Sequence, residues 1–292
     1  MGDYSGKTAV ITGAGSGLGA AMASLFAGAG ANVALLDIDL ERAEAKAAQL
    51  RTSGTDCLAM QVDAADRASL QAAADAVRAK YGAAHVLCAN VGVQQFGATD
   101  KLTNNDWQWV MSVNFHGVLH TVGAFLPLLR AAQDQRHIVL TSSASFFQHG
   151  IRMAAYVASK FAVTGYGEVL RAELAPEGIN VSLLFPAGMI TRHIESSIAA
   201  RPAELGESRF DHADVEAMMA QAVGDTTGHV ATPEHAVRNL LADLAAGERY
   251  IFTHGNYRDQ IEMQQQEVLA AFDRMLSYPP APSAMPVKPA GA

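Results

Sequence analysis

The sequence is poor in cysteine, in charge and in long apolar runs. Cys57 and Cys88 are the only cysteines among 292 residues, which excludes a disulfide framework and a cysteine-based zinc site. Both lie in strand-like apolar runs, so we expect buried, reduced thiols. The longest apolar runs are about ten residues, too short to span a bilayer. Charged residues are only 17%, the net charge is −8 and no basic tract occurs, which argues against nucleic acid and membrane partners.

The N-terminal residues also lack the features of a targeting segment. MGDYSGKTAVITG runs directly into an apolar strand, without the charged leader and apolar core of a secretory signal. Gly6 stands where the myristoylation pattern requires Ser or Thr. We therefore expect a cytoplasmic protein. Half of the residues are hydrophobic, enough for a sizeable core.

Short apolar runs alternate with longer helical patterns along the chain. This alternation predicts an α/β fold, a single Rossmann-like domain whose doubly wound parallel sheet is covered by helices on both faces. The predicted strands span residues 7–12, 32–37, 57–63, 85–90, 137–143, 179–185 and 249–253. The predicted helices span residues 18–29, 40–53, 68–81, 103–132 with a break at Pro127, 153–174, 233–246 and 257–276.

The regular alternation weakens after residue 186 and stops near the C-terminus. Residues 1–255 are predicted to form the catalytic domain, in which residues 187–230 show no clear strand. A connection of this length is unusual unless it acts as a lid, so we predict a substrate lid here. Residues 256–277 are predicted to form a C-terminal helix, and the proline-rich residues 278–292 a disordered tail.

A glycine-rich turn, TGAGSGLG over residues 12–19, lies between the first strand and the first helix. Glycines let the backbone approach a pyrophosphate, and the helix N-terminus supplies free N–H groups. Gly13 and Gly15 fit the dinucleotide fingerprint, but Leu18 stands where its third glycine belongs. Asp37 ends the second strand, where a carboxylate binds the ribose 2′-hydroxyl and repels a 2′-phosphate; this favours NAD over NADP. The alternative is that Asp37 only caps the next helix, as Asp39 could.

Tyr156 and Lys160 stand four residues apart in a helical pattern, so they share one helix face. An ammonium beside a phenol favours the phenolate and lowers the pKa of the phenol. Such a tyrosine can exchange a proton with a substrate oxygen near neutral pH. The spacing therefore predicts an acid–base pair, with a chance pairing as the alternative.

Together these motifs resemble the classical short-chain dehydrogenase/reductase family over residues 5 to about 255. The glycine turn is similar to its Thr-Gly-x-x-x-Gly-x-Gly motif, residues 90–92 (Asn-Val-Gly) to its Asn-Ala-Gly motif, and residues 186–188 (Pro-Ala-Gly) to its Pro-Gly turn. The resemblance implies the following NAD-binding residues: Thr12, Gly13, Gly17, Leu18, Gly19, Asp37, Asp63, Asn90, Gly92, Tyr156, Lys160, Pro186, Gly188 and Thr191.

The resemblance also implies four catalytic roles. Ser143 would orient the substrate oxygen and Tyr156 would transfer the proton. Lys160 would hold the nicotinamide ribose and acidify Tyr156, while Asn114 would connect Lys160 to solvent through a water. Taken alone, Ser142 or Ser143 could simply end a strand and Asn114 could cap or kink its helix. The presence of all four favours the catalytic interpretation.

The resulting expectation is an oxidoreductase that moves a hydride between NAD(H) and a secondary alcohol or ketone. Residues 187–230 are rich in Met, Ala and Ile, and Arg192 and Arg201 are isolated and expected to face solvent. A bulky, uncharged aryl or steroid-like substrate is therefore expected. The alternatives are an epimerase or dehydratase on the same site and a nucleotide sensor without turnover. The family usually pairs through the helices at 103–132 and 153–175, which implies a homodimer or homotetramer.

No metal site is expected. His116 and His120 are four apart but lack a third ligand. His149 and His193 flank the expected cleft, where surface loop positions are favoured over substrate contact. Five further residues are expected to form either an apolar pocket or ordinary core: Phe146, Phe147, Met189, Met218 and Met219.

Overall fold

The computed structural model describes residues 3–206, 211–220 and 228–279. The chain divides into two compact units, the first ending at Asn256 and the second beginning at Tyr257. The strands are β1 Thr8–Thr12, β2 Asn32–Asp37, β3 Cys57–Gln61, β4 Val86–Ala89, β5 His137–Thr141, β6 Asn180–Phe185, β7 Gly188–Met189, β8 Val230–Ala231 and β9 Tyr250–Phe252. The helices are α1 Gly17–Gly28, α2 Leu40–Arg51, α3 Arg67–Tyr81, α4 Asn104–Met111, α5 Gly117–Ala131, α6 Ala154–Leu174, α7 His193–Ala199, α8 His212–Met219, α9 Pro233–Val237, α10 Leu240–Ala246 and α11 Arg258–Leu276.

Seven parallel strands form the main sheet in the order β3-β2-β1-β4-β5-β6-β9. β1, β4 and β5 are buried along their whole length, because helices pack on both faces and leave no solvated side. The predicted doubly wound fold is confirmed. The chain order reverses between β1 and β4, and the carboxyl ends of strands at such a switch point form a crevice that binds ligands.

The long helix predicted at 103–132 is not broken at Pro127. α5 continues through Pro127 to Ala131, where Leu128 and Leu129 are fully buried and hold the last turn in place. The regular geometry changes earlier, at a π-helical turn over Ser112–His116 between α4 and α5. Turns of this kind are frequent at functional sites, and this one contains Asn114.

Residues 187–231 contain more regular structure than the sequence suggested. β7 and β8 pair in a small parallel ladder, and α7, a 3₁₀ turn over Ala203–Leu205 and α8 lie between them. α7 and α8 span only seven and eight residues, too few turns to produce a clear helical period. Residues 207–210 and 221–227 of the predicted lid lie outside the described residues. The predicted helix at 233–246 is two helices, α9 and α10, separated at Asn239.

The second unit consists, as far as it is described, of α11 and the residues up to 279. Residues 280–292 of the predicted tail lie outside the described part of the chain. Among the described helices none is both long enough and apolar enough to cross a membrane. Cys57 and Cys88 are free and buried, as expected.

Candidate active site

The glycine turn at the end of β1 opens the N-terminus of α1 to a ligand. Gly13 and Gly17 have φ angles of +67° and +51°, which side-chain-bearing residues rarely adopt. A Cβ on Gly19 would lie 2.0 Å from the Gly13 carbonyl oxygen, so only glycine fits there. Leu18, in place of the third fingerprint glycine, is buried. Ser16 at the tip of the turn is exposed, and the free N–H groups at the start of α1 suit the pyrophosphate of a dinucleotide.

Asp37 faces this turn rather than the helix that follows it. Its Oδ2 accepts a hydrogen bond from the Gly15 N–H at 2.8 Å. Asp39 is the residue that caps α2, by accepting from the Arg42 N–H at 3.1 Å. The alternative role of Asp37 as a helix cap is therefore wrong. The Asp37 carboxylate stands beside the glycine turn, where an adenosine ribose fits.

Arg42 and Asp37 both lie beside Gly15 of the glycine turn. A Cβ on Gly15 would lie 2.8 Å from the Arg42 Cβ and 3.0 Å from the Asp37 Oδ2. The Arg42 guanidinium is already occupied, because Nε pairs with the Asp39 Oδ2 at 2.9 Å and Nη1 donates to the Ser196 Oγ at 3.2 Å. A cavity of about 570 Å³ adjoins this region. Its lining includes Gly15, Ser16, Gly17, Arg42, Lys46 and Thr191.

The turn after β4 is held against β1 and β5 by hydrogen bonds. The Thr12 Oγ1 accepts from the N–H groups of Asn90 at 3.0 Å and Val91 at 3.3 Å. The Asn90 side chain donates to the Thr12 carbonyl at 3.2 Å and accepts from the Thr141 Oγ1 at 3.2 Å. These contacts fix the backbone that leads to Gly92. Val91 takes part through its N–H, so the departure from alanine leaves this contact intact.

Asn114 connects the π-helical turn to the helix that carries Tyr156. Its Oδ1 accepts from the Val93 N–H at 2.7 Å, and its Nδ2 donates to the Val93 carbonyl and to the Ser159 Oγ, both at 3.0 Å. The Ser159 Oγ donates in turn to the Tyr156 carbonyl at 2.6 Å. Ser159 was missed in the sequence, although its position between Tyr156 and Lys160 on one helix was the available signal. A Cβ on Gly92 would lie 3.6 Å from the Asn114 Oδ1.

Ser143, Tyr156 and Lys160 converge at the carboxyl end of β5. Lys160 is buried and its Nζ donates to the Thr141 carbonyl at 2.8 Å, while Nζ lies 5.6 Å from the centre of the Tyr156 ring. Burial lowers the pKa of Lys160 to about 8. Burial also raises the pKa of Tyr156, and a hydrogen bond with Ser143 opposes this. The expected net lowering of the Tyr156 pKa is therefore wrong for this arrangement, because burial of the phenolate is the larger effect.

The two adjacent serines, Ser142 and Ser143, have different hydrogen-bond partners. The Ser142 Oγ hydrogen-bonds with the Thr164 Oγ1 at 2.8 Å and donates to the Lys160 carbonyl at 3.2 Å, which ties β5 to α6. Ser143 Oγ accepts from the Ser145 N–H at 3.1 Å and hydrogen-bonds with Tyr156. Ser142 is structural, whereas Ser143 lies beside the phenol.

The remaining predicted cofactor residues lie along the same edge of the sheet. A Cβ on Gly17 would lie 3.5 Å from the Thr191 Cγ2, so Thr191 approaches the glycine turn. The Pro186 carbonyl accepts from the Ala144 N–H at 2.9 Å, and the Gly188 carbonyl hydrogen-bonds with His254 at 2.7 Å. Asp63 is exposed after β3, and its carboxylate accepts from the Ala65 N–H at 2.9 Å.

His193 is not a loop residue, because it begins α7 with its ring centre 6.5 Å from that of Tyr156. Desolvation and the nearby Lys160 charge lower its pKa to about 4. The His193 side chain is exposed to solvent. We therefore attribute its lowered pKa to the protein atoms that surround the cleft and not to full burial of the ring. His193 is neutral at physiological pH and can share a hydrogen bond without carrying a charge.

Gln94 is a second residue of this region that the sequence did not reveal. Its N–H donates to the Ser197 Oγ of α7 at 2.9 Å. Its Nε2 is buried without a hydrogen-bond partner among the described residues. A buried amide without a partner is costly and calls for an explanation.

The remaining candidates separate into different parts of the first unit. Phe146 and Phe147 pack against Phe185, with ring centres 5.9 and 5.2 Å apart, which is ordinary core packing. Met218 approaches Gly150, and Met219 is exposed. His149 hydrogen-bonds with the Ser145 carbonyl at 2.8 Å, and the rings of His116 and His120 lie 6.5 Å apart. The five Met and Phe residues therefore do not form a single pocket.

The chain is similar to known proteins over most of its length. Residues 7–201 match the family model described as short chain dehydrogenase. The chain is 30% identical over 280 residues, 96% of its length and 90% of the relative, to C alpha-dehydrogenase from Sphingobium sp.. It is 37% identical over 247 residues, 82% of its length and 88% of the relative, to D-threitol dehydrogenase from Mycolicibacterium smegmatis. A short-chain dehydrogenase/reductase from Burkholderia phymatum, solved in complex with NAD, matches with a TM-score of 0.79 and 29% identity over 98% of this chain and all of that chain.

Proposed function

Since the chain belongs to the short-chain dehydrogenase/reductase family, we propose that this oxidoreductase interconverts a secondary alcohol and a ketone with NAD(H). The observation that carries the proposal is the convergence of Ser143, Tyr156 and Lys160 at the carboxyl end of β5. It supplies a proton-transfer group, a second hydroxyl that can hold the substrate oxygen, and a buried ammonium at one point of the crevice.

NAD is the cofactor in this proposal. Gly19 lets the turn close tightly on Gly13, and the Asp37 carboxylate beside the glycine turn suits a free ribose 2′-hydroxyl and repels a 2′-phosphate. The Burkholderia phymatum relative, whose crystal structure contains NAD, supports the same choice. When bound, NAD supplies the hydride acceptor for alcohol oxidation.

The residues of the chain handle the proton. Ser143 donates a hydrogen bond to the substrate oxygen and fixes its position. Because burial raises its pKa, Tyr156 is a phenol at neutral pH and donates its proton to the carbonyl oxygen during reduction; in the reverse direction its phenolate accepts the hydroxyl proton, so oxidation is favoured by higher pH. The Lys160 ammonium, protonated below a pKa of about 8, offsets part of the cost of forming the buried phenolate. Asn114 and Ser159 act through the backbone of Tyr156, because their hydrogen bonds hold its carbonyl and so orient the helix turn.

The substrate is bulky, largely uncharged and aryl or steroid-like in this proposal, and residues 187–230 form the lid that covers it. The described part of the lid exposes large apolar side chains, among them Ile190, Ile198 and Met219. Burying such surface against a substrate contributes roughly 25 cal/mol per Å². Arg192 is exposed and paired with Glu195 at 2.6 Å, so it is not placed as a phosphate clamp.

A polyol is the second candidate substrate. The support for a polyol is the most identical of the relatives described above, which is a D-threitol dehydrogenase. The two candidates differ in size and polarity, so they make opposite predictions about substrate preference.

We also propose that the chain forms a homodimer or homotetramer through α4, α5 and α6. Phe161 and Val169 on α6 are 40% and 57% exposed, as a subunit contact requires, whereas Val163 faces the core. Light scattering at micromolar concentration tests this, and a purely monomeric mass contradicts it.

The test of the proposed function is a substrate panel read by NADH absorbance. The purified chain is incubated with NAD and a multi-ring secondary alcohol, a small aliphatic secondary alcohol or a linear polyol. NADH formation with the highest kcat/KM for the multi-ring alcohol supports the proposal, and the highest value for the polyol supports the second candidate. Conversion of substrate without net NADH indicates an epimerase or dehydratase, and NAD binding without any turnover indicates a sensor.

A further inference from the structure

Arg201 was expected to face solvent, but its side chain is buried in an ion pair. It follows α7 closely, and its Nη2 lies 2.7 Å from the Asp106 Oδ1 of α4, with the two side chains only 6% and 7% exposed. Asp106 also accepts hydrogen bonds from the N–H and Oγ1 of Thr103 in the capping box that starts α4. The Asp106 carboxylate is therefore held in place by α4 independently of Arg201.

The rest of the Arg201 guanidinium is also bound. Nη1 donates to the Gln95 Oε1 at 3.3 Å, Nη2 donates to the Leu205 carbonyl at 3.2 Å, and Nε donates to the Gly206 carbonyl at 2.9 Å. The guanidinium carbon lies 5.3 Å from the centre of the Trp109 ring, within the range of a cation–π contact. Arg201 thus joins three parts of the first unit: residues 187–231, α4 and the connection between β4 and α4.

A buried ion pair is a poor means of adding stability, because removing both charges from water costs about as much as their attraction returns. It is an effective means of holding one geometry, because separating the pair leaves two uncompensated charges. The contacts of Arg201 therefore favour a single position of the chain that follows α7. A hydrophobic contact at the same place would allow the chain that follows α7 to slide against α4.

The helix held in this way lies against the candidate acid–base residue. α7 begins at His193, whose ring is 6.5 Å from that of Tyr156. Ser197, near the other end of α7, accepts from the Gln94 N–H and donates to the His193 carbonyl at 2.7 Å. A displacement at Arg201 is therefore transmitted along α7 to the wall of the substrate site.

We propose that Arg201 is a positioning residue, which holds α7 over Tyr156 through its ion pair with Asp106 and thereby sets how tightly the substrate is enclosed. The kinetic part of this inference rests on the proposed function. The glycine turn itself makes no contact with the ion pair in the described part of the chain, and the first turn of α7 is held separately by the Arg42–Ser196 hydrogen bond, so we expect NAD binding to change much less than substrate binding when the pair is broken.

The test compares Arg201→Met with Arg201→Lys and a matched control, Arg192→Met. Arg192 also lies in residues 187–231, but its ion pair with Glu195 is exposed, so its removal has little effect. Misplacement by about 1 Å can cost about 100-fold in rate. We expect Arg201→Met to raise KM and lower kcat/KM for the preferred substrate by about 10- to 100-fold. Arg201→Lys should recover part of this, and the NAD dissociation constant should stay within about threefold.

A second readout does not depend on activity. Limited proteolysis under native conditions should cut residues 187–231 of Arg201→Met at least about tenfold faster than those of the unmodified protein or of Arg192→Met, because cleavage follows local opening. If Arg201→Met fails to fold, the same comparison of KM and of proteolysis rate is made with Asp106→Asn and Arg201→Lys.

Two results overturn the proposal: a folded Arg201 variant with unchanged KM and unchanged proteolysis, or a uniform loss of stability with normal KM in the folded fraction. If the unmodified protein oxidises no alcohol, the proposed function fails, while the proteolysis result still decides the role of Arg201.

Discussion

On the cofactor side of the site, residues 12–19 and 90–92, the geometry is set by glycines and by hydrogen bonds between backbone groups and the side chains of Thr12 and Asn90. On the substrate side, residues 193–206, it is set by side chains from distant parts of the chain. The Gly19 position admits no side chain, and the Asn90 backbone is bonded to Thr12. Arg201, by contrast, depends on Asp106 for its place. A change on the cofactor side should therefore affect NAD binding, and a change on the substrate side should affect substrate use.

Tyr156→Phe separates the proton-transfer step from cofactor binding and from substrate binding, because it removes the transferable proton and keeps the ring. We expect kcat to fall by about 10²- to 10⁴-fold, because proton transfer by a positioned group is worth this much. NAD affinity, measured by fluorescence titration, should change little. A Phe variant with normal kcat removes Tyr156 from the mechanism.

Gly19→Ala tests whether backbone approach governs the cofactor side. The added methyl would lie 2.0 Å from the Gly13 carbonyl oxygen, so the turn must shift. We expect NAD affinity to fall by about 100-fold, the loss that a misplacement of about 1 Å can cause. The matched control is Gly28→Ala in the same helix, where nothing lies within 4 Å of the new methyl. This control should bind NAD normally and gain up to about 1 kcal/mol in stability; equal losses in the two variants would refute the steric argument.

Asp37→Ala tests the choice between NAD and NADP. Removing a carboxylate that repels a 2′-phosphate should lower the preference for NAD, measured as the ratio of kcat/KM values, by at least about tenfold, since like-charge contacts cost several kcal/mol. Asp39→Ala is the control, because it removes only the cap of α2. It should cost about 1 kcal/mol in stability and leave cofactor preference unchanged. An unmodified protein that prefers NADP would contradict our interpretation of Asp37.

Lys160→Met tests what the buried ammonium costs the fold, and the quantity measured is the free energy of unfolding. Burial lowers the Lys160 pKa from 10.5 to about 8, so the unfolded chain keeps this proton to higher pH than the folded chain does. The folded protein thus bears the full cost of a buried ammonium below pH 8, and this cost fades between pH 8 and 10.5. We expect the Met variant to be about 1–3 kcal/mol more stable at pH 7, less so towards pH 10, and inactive.

Urea unfolding at pH 7 and at pH 10 measures this difference. The gain is reduced by the Thr141 carbonyl, which loses its donor in the variant. The difference in the free energy of unfolding between the Met variant and the unmodified protein is compared at the two pH values. If the Met variant gains less at pH 7 than at pH 10, Lys160 stabilises the fold as an ammonium.

The cofactor-binding residues could be proposed from the sequence because part of their pattern is local. A glycine turn after a buried strand, or Asp37 at the end of the next strand, can be recognised without knowing what lies across the site. The helical spacing of Tyr156 and Lys160 is local in the same sense. The resemblance to a family then supplied Asn114 and Ser143, whose partners are distant in the chain.

The substrate side was predicted poorly because its constraints are not local. Arg201 appears isolated in the sequence, since Asp106 lies 95 residues away from it. His193 and Gln94 likewise meet other parts of the site only through the fold. The π-helical turn at Asn114 was missed because one extra residue per turn hardly changes an apolar period. Short helices such as α7 offer too few turns to be recognised.

The most direct test of the central claim follows the transferred hydrogen. The protein is incubated with NAD and a secondary alcohol that carries deuterium on its carbinol carbon, and the reduced cofactor is analysed by mass spectrometry. We predict one deuterium per reduced nicotinamide, together with the matching ketone, and none of either with Tyr156→Phe on the same time scale. Product formation with the deuterium retained in the substrate skeleton and no reduced cofactor would contradict the account.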